Sequence, residues 1–168
     1  MKKQILKAIG GVSLAILVLA VFAQVRVSAQ VQNGNQQGLV GSWDVQVTVR
    51  DCQTGNPIPF IPTFSAMMTY NQGGTMQESD LGGPGLVRLL GHGVWSRISE
   101  FHPLYSAAFQ FLNFLPDRTP AGKNVVRSAI RLGQSGDTYT STDTGEILDA
   151  NGNVMSRGCA TSTATRFR

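Results

Sequence analysis

The segment GSWDVQVTVRDC, from Gly41 to Cys52, alternates apolar and polar residues over most of its length. One face of an extended chain would carry the apolar residues Trp43, Val45, Val47 and Val49. Alternation with a period of two is typical of a β-strand that buries one face. Trp43 near the start and Cys52 at the end suggest that this strand is anchored at both ends.

Seven further segments have the alternation or the composition of β-strands, and turns rich in Gly, Pro, Asn and Asp separate most of them. These segments are residues 64–71, 75–80, 91–99, 104–114, 123–132, 138–149 and 154–168. Residues 81–91, LGGPGLVRLLG, are predicted to form a loop, because Gly and Pro interrupt them. We therefore predict an all-β protein, an eight-stranded antiparallel up-and-down β-barrel whose first strand lies beside its last. A two-sheet β-sandwich is the alternative.

The N-terminal residues predict export. Three lysines within the first seven residues precede an apolar run over residues 11–23, and small residues follow near Ala29. This pattern is typical of a Sec-type signal peptide, here residues 1–29 with cleavage after Ala29, although an uncleaved N-terminal anchor is the alternative. Residues 30–38 are predicted to be a flexible leader, and residues 39–168 a single β-barrel domain located in the periplasm or outside the cell.

Removal of the signal peptide changes the charge balance. The whole chain has 14 Lys and Arg residues against 10 Asp and Glu residues, a net charge of +4. Four of the basic residues lie before the cleavage position, so the remaining chain has 10 of each sign and is about neutral. This balance gives no indication of a nucleic-acid partner or of stable membrane association after cleavage.

The chain contains two cysteines, Cys52 and Cys159. In an exported protein two cysteines favour a disulfide, and only one intrachain pairing exists. The bond would join the end of the first strand to the last strand and so close the seam of the barrel. The alternative, a thiol nucleophile, needs a basic partner that the spacing does not supply.

Gly41, Ser42 and Trp43, together with an arginine near the end of the last strand, resemble the calycin superfamily of lipocalin-like barrels. The resemblance implies that Trp43 packs across the closed end of the barrel beneath Arg166, with Arg168 as the alternative partner. The chain is also similar to an exported bacterial family of unassigned function, through its GHGVW segment and its DANGN…GCAT hairpin. Allene-oxide-cyclase and dirigent barrels have a similar eight-stranded design.

The richest polar segment, GHGVWSRISEFHPLY, contains Trp95, Arg97 and Tyr105. Alternation places Trp95 and Arg97 on one face, which allows either a packed Trp with the Arg at the rim or a binding role for all three. Acid–base chemistry by His92 or Glu100 is a further alternative. In the sixth strand, Arg127 and Arg131 are predicted to face solvent, with an internal anion site as the alternative.

Catalytic, metal-binding and cofactor-binding patterns are weak. His92 and His102 have no evident third ligand, so no metal is predicted, and no segment indicates a cofactor. We expect a non-catalytic exported barrel that binds a small apolar or amphipathic molecule in its interior. A cyclase or isomerase and a structural envelope protein without ligand are the alternatives. The expected ligand-binding residues are Phe64, Met68, Tyr70, Trp95, Arg97, Tyr105, Phe109 and Phe111.

Overall fold

A computed structural model of the protein describes residues 38–80, 82 and 85–168. The expected signal peptide, its cleavage position after Ala29 and all but the last residue of the expected leader lie outside the described residues. Within the described ranges, no helix is long and apolar enough to cross a membrane. The strands are β1 (Gly41–Arg50), β2 (Phe64–Tyr70), β3 (Thr75–Asp80), β4 (Val87–Arg88), β5 (Gly91–Arg97), β6 (Leu104–Phe114), β7 (Pro120–Leu132), β8 (Thr138–Leu148) and β9 (Val154–Arg166).

Eight of these strands close into an antiparallel barrel in the order β6-β5-β3-β2-β1-β9-β8-β7, and pairing between β6 and β7 completes the ring. The first strand pairs with the last, from Trp43 opposite Arg166 to Arg50 opposite Cys159. The predicted barrel is therefore confirmed, and closure leaves no exposed edge along the ring. The architecture is consistent with a calycin-like fold.

The short strand β4 corrects the prediction of a loop over residues 81–91. Val87 pairs with Phe114 and Arg88 with Asn113, while β5 pairs with the preceding part of β6. The prediction was wrong at these two residues, because β6 extends beyond β5 and its free backbone groups pair with β4 instead. The amide of Leu89 continues this pairing by donating to the carbonyl of Leu112 at 3.0 Å.

A disulfide between Cys52 and Cys159 joins the end of β1 to β9, with 5.2 Å between the two Cα atoms. The prediction of a bond across the barrel seam is therefore confirmed. Such bonds persist in oxidising compartments, so the disulfide is compatible with a periplasmic or extracellular location.

The alternating direction of the strands defines two ends of the barrel. The end of β1 and the starts of β2, β7 and β9 lie at one end, which we call the open end. The opposite end, where β1 begins, is the closed end, and each end belongs to a half of the barrel. The most deeply buried large side chains all belong to the closed half: Leu39, Trp43, Tyr70, Met76, Ile130 and Tyr139.

Candidate functional site

Trp43 and Arg166 cover the closed end of the barrel. The guanidinium carbon of Arg166 lies 4.2 Å from the centroid of the fully buried Trp43 ring, a cation–π contact. The indole nitrogen of Trp43 donates to the carbonyl of Leu39 at 3.0 Å. Arg166 donates to the carbonyls of Gly38 at 2.8 Å and Val40 at 2.6 Å, so it also fixes the chain that leads into β1.

Gly41 allows this arrangement. Its φ angle is +131°, in a region that L side chains rarely adopt. A Cβ atom at this position would lie 2.7 Å from Nη1 of Arg166. The glycine two residues before Trp43 therefore lets the arginine reach the tryptophan ring.

Aromatic rings fill the rest of the closed half. The ring centroids of Trp43 and Tyr139 are 4.9 Å apart, those of Tyr139 and Tyr70 are 6.2 Å apart, and a 6.0 Å contact joins Tyr70 to Trp95. Trp95 contacts Tyr105 at 5.9 Å. These rings contact one another in a continuous layer that fills the closed half of the barrel.

Met68 separates the aromatic layer from the interior of the open half. The hydroxyls of Tyr70 and Tyr139 both donate to its sulfur, at 3.2 and 3.4 Å. Burial raises the pKa of both phenols, so both keep their protons at neutral pH. Met68 thus forms the floor of the space above it.

The open half contains a cavity of about 230 Å³. Its wall is mainly apolar, and several inward positions hold small residues that leave the space unfilled. Four of the expected ligand-binding residues line it, Phe64, Met68, Phe109 and Phe111. Other residues that line the cavity are Ala66, Glu78, Asp80, Val126, Asp143, Gly145, Glu146, Arg157, Gly158, Ala160 and Ser162.

The remaining expected ligand-binding residues lie elsewhere. Tyr70, Trp95 and Tyr105 belong to the aromatic layer and do not line this cavity. Arg97 is exposed, and its guanidinium donates to the carbonyls of Ser99 at 2.8 Å and Glu100 at 3.1 Å. The structure therefore separates Arg97 from the four residues that do line the cavity.

Other candidate residues lie on the outer surface. Arg127 and Arg131 face solvent, as the alternation predicts, and His92 and His102 are also exposed. In the part of the chain that the structure describes, no group of three or more His, Cys, Asp or Glu residues is placed to hold a metal ion.

A cluster of buried charges on the cavity wall was not anticipated from the sequence. Arg88 forms ion pairs with both Glu78 and Asp80, and its guanidinium lies 3.4 Å from the centroid of the Phe111 ring. Burial raises the pKa of Glu78 to about 7, because desolvation outweighs the attraction of Arg88. Gly91 provides the space, since a Cβ atom there would lie 2.7 Å from Oε2 of Glu78.

Asp143 on β8 is a second polar group of the cavity wall. Its Oδ2 atom accepts hydrogen bonds from the hydroxyls of Ser162 at 2.8 Å and Ser141 at 3.1 Å. Its Oδ1 atom is buried and has no hydrogen-bond partner among the described residues.

The alternation of the strands would have been sufficient to predict that Glu78 and Asp143 face the interior. Glu78 follows the buried Met76 by two positions, and Asp143 follows the buried Tyr139 by four, so each carboxylate points inward with its apolar neighbour. Arg88 had no comparable signal, because a two-residue strand shows no period.

The open end presents apolar side chains to solvent. Phe60, in the connection between β1 and β2, is 93% exposed. Further exposed apolar residues lie on the other loops and strand ends here, and we call the whole set the apolar crown: Phe60, Ile61, Leu86, Val87, Leu89, Leu90, Leu115, Val154 and Met155. The crown therefore lies at the same end of the barrel as the cavity.

Comparison with models of known protein families finds no match for this chain, and comparison with curated proteins finds none either.

Proposed function

We propose that this chain is an exported, lipocalin-like binding protein that holds a small amphipathic molecule in the open half of its barrel. The observation that carries the proposal is the cavity of about 230 Å³, which lies directly above a packed aromatic layer. Ligand sites in proteins are typically concave and mainly apolar, with a few polar groups that orient the ligand.

The distribution of polar groups supports an amphipathic ligand over a purely apolar one. Phe64, Phe109 and Val126 provide apolar wall surface, whereas Glu78 and Asp143 bring carboxylates to the same space. A purely apolar molecule would cover Asp143, whose Oδ1 has no partner among the described residues, without offering it a hydrogen bond, which is unfavourable. The apolar crown supports the same class of ligand, because it gives the apolar part a favourable route into the barrel.

The test compares two variants that place the same new side chain on opposite faces of β9. Ala160→Ile adds volume to the cavity wall, whereas Thr163→Ile adds the same side chain to the exposed face of the same strand. We expect 1-octanol to bind the wild type and Thr163→Ile equally in isothermal titration calorimetry, and Ala160→Ile at least about tenfold more weakly, since the added side chain occupies space that the ligand needs. Native mass spectrometry of protein purified from its own host should show a bound mass that only Ala160→Ile lacks. Equal binding by all three proteins would contradict the proposal.

A second candidate function, proton-transfer catalysis on the bound molecule, has one observation in its favour. Glu78 lines the cavity, and burial raises its pKa to about 7, close to the value at which a carboxylate works best as a general base at neutral pH. A cyclase or isomerase that removes and returns a proton in this way needs no further cofactor.

Deuterium incorporation distinguishes catalysis from binding. The wild type and Glu78→Gln would each be incubated in D₂O with a small-molecule extract of the host. A Glu78 base would exchange a carbon-bound proton, so one compound would gain about one mass unit per exchanged site with the wild type and none with Glu78→Gln. Identical mass spectra from the two incubations would exclude this candidate and leave the binding function.

A further inference from the structure

The cavity wall contains one carboxylate oxygen whose hydrogen-bonding capacity is unused within the described part of the chain. Asp143 receives two hydroxyl hydrogen bonds, from Ser141 and Ser162, and both go to Oδ2. Its Oδ1 is buried and receives none there. A buried carboxylate oxygen without a donor is unfavourable, and a ligand that supplies a donor at this atom removes the cost.

The other charges of the cavity do not neutralise Asp143. Arg88 is paired with Glu78 and Asp80 on β3. In the barrel order, β3 and β8 lie on opposite sides, with three strands between them in either direction. The remaining charged residues at the cavity, Glu146 and Arg157, pair with each other at 3.1 Å. The wall around Asp143 therefore carries a negative charge that has no basic partner there.

We propose that the bound molecule carries an ammonium group and that Oδ1 of Asp143 accepts a hydrogen bond from it, while the apolar part of the molecule lies against Phe64, Phe109 and Val126. This inference rests on the proposed binding function and names its ligand class, an amine on an apolar chain or ring. An ammonium offers both a donor and a positive charge in a poorly solvated space. A hydroxyl offers only the donor, and a carboxylate is repelled.

Three probes of eight carbon atoms each separate these cases: octylamine, 1-octanol and octanoate, each titrated calorimetrically at neutral pH into the wild type. We expect octylamine to bind about tenfold or more tightly than 1-octanol, the size expected of a charge-assisted hydrogen bond, and octanoate to bind most weakly. Because this ranking is measured on the wild type, it tests the proposal even where a variant fails to fold.

The matched variants are Asp143→Asn inside the barrel and Asp44→Asn on its exposed outer face. Both remove one negative charge, but only the first removes it from the cavity wall, where the asparagine amide keeps a neutral acceptor oxygen. We expect Asp143→Asn to bind octylamine and 1-octanol within about twofold of each other, and Asp44→Asn to keep the wild-type preference.

The outcomes distinguish the inference from the function on which it rests. Binding of 1-octanol as tight as that of octylamine, with the same ratio in Asp143→Asn, would overturn the ammonium proposal and leave the binding function intact. Failure of all three probes to bind the folded wild type would overturn both. Preference for octylamine that persists in Asp143→Asn would place the recognition elsewhere and also overturn the assignment to Asp143.

Discussion

The closed half of the barrel presents large aromatic side chains to its interior, whereas the open half presents many small ones. In the closed half, the ring centroids of Trp43 and Tyr139 are 4.9 Å apart. In the open half, inward positions are occupied by Ala66, Gly145, Gly158, Ala160 and Ser162, and a cavity of about 230 Å³ remains. The two halves share the same strands and the same alternation, so the volume of the inward side chains determines which half is filled.

The charged side chains of the two halves also have different partners. In the closed half Arg166 interacts with a ring and with backbone carbonyls, so it stabilises the fold. In the open half Glu78 and Asp143 are carboxylates beside empty space. The packing therefore leads us to expect that the closed half contributes more to stability than the open half, which contains the proposed ligand site.

Removal of one aromatic ring from each half should give the largest difference in unfolding free energy. Trp43→Ala is expected to lower the free energy of unfolding by about 3–5 kcal/mol, because Trp43 is fully buried. Phe64→Ala should cost about 1 kcal/mol, since Phe64 is partly exposed at the cavity mouth. Urea denaturation monitored by circular dichroism measures both. Equal losses would show that the two halves contribute alike to stability.

The disulfide should compensate for the weaker packing of the open half. Cys52 and Cys159 join β1 to β9 at the open end of the seam. Replacing both with Ala is expected to cost about 2–5 kcal/mol, since a disulfide restricts the unfolded chain. Because the bond also holds β1 and β9 together at this end, amide hydrogen exchange should then accelerate most at residues 156–160 and least around Trp43. Uniform acceleration along β9 would indicate that the bond stabilises the whole barrel equally.

Alternation and turn residues were sufficient to predict the strand bounds within a few residues, because closure of the barrel makes the inward face of most strands mainly apolar or small. Trp43 and Arg166 were predicted as partners through the resemblance to calycins, and 4.2 Å separates the guanidinium carbon from the ring centroid. The strand β4 was missed, because two residues carry no period and their pairing depends on how far β6 extends.

The candidate site was predicted only in part, for a physical reason. Phe64 and Phe109 were expected on the wall, but which of the inward residues surround empty space depends on the summed volumes of all facing side chains. Trp95 and Tyr105 were grouped with them because aromatic residues favour both cores and ligand sites, and the structure places them in the packed layer. A buried arginine needs a carboxylate partner, and Arg88 has two, whereas the exposed Arg97 bonds to backbone carbonyls.

Glu78 should make the stability of the protein depend on pH through the open half. Its pKa is raised from 4.5 to about 7 in the folded state, so between these values the folded state holds a proton that the unfolded state has released. The stabilisation is therefore full below about pH 4.5 and is lost as the pH rises through 7, by at most about 3 kcal/mol. Glu78→Gln cannot titrate, so its unfolding free energy should lack this slope.

The matched control in the closed half is Tyr139→Phe, because burial raises the pKa of Tyr139 and the phenol stays protonated over the same range. Urea denaturation between about pH 5 and 8 should give Tyr139→Phe a stability curve parallel to that of the wild type. Parallel curves for Glu78→Gln as well would show that Glu78 has the same charge in the folded and unfolded states.

The smallest expected effect on the unfolding free energy comes from replacing an inward alanine of each half with isoleucine. Ala107 lies in the packed core and is 5% exposed, whereas Ala160 lines the cavity. Ala107→Ile should cost about 1–3 kcal/mol through overpacking, and Ala160→Ile should change the unfolding free energy by less than about 1 kcal/mol, because the new side chain enters empty space. Thermal and urea denaturation of the two variants provides the measurement. If Ala160→Ile were as destabilising as Ala107→Ile, the open half would be as tightly packed as the closed half, and there would be no space for a ligand.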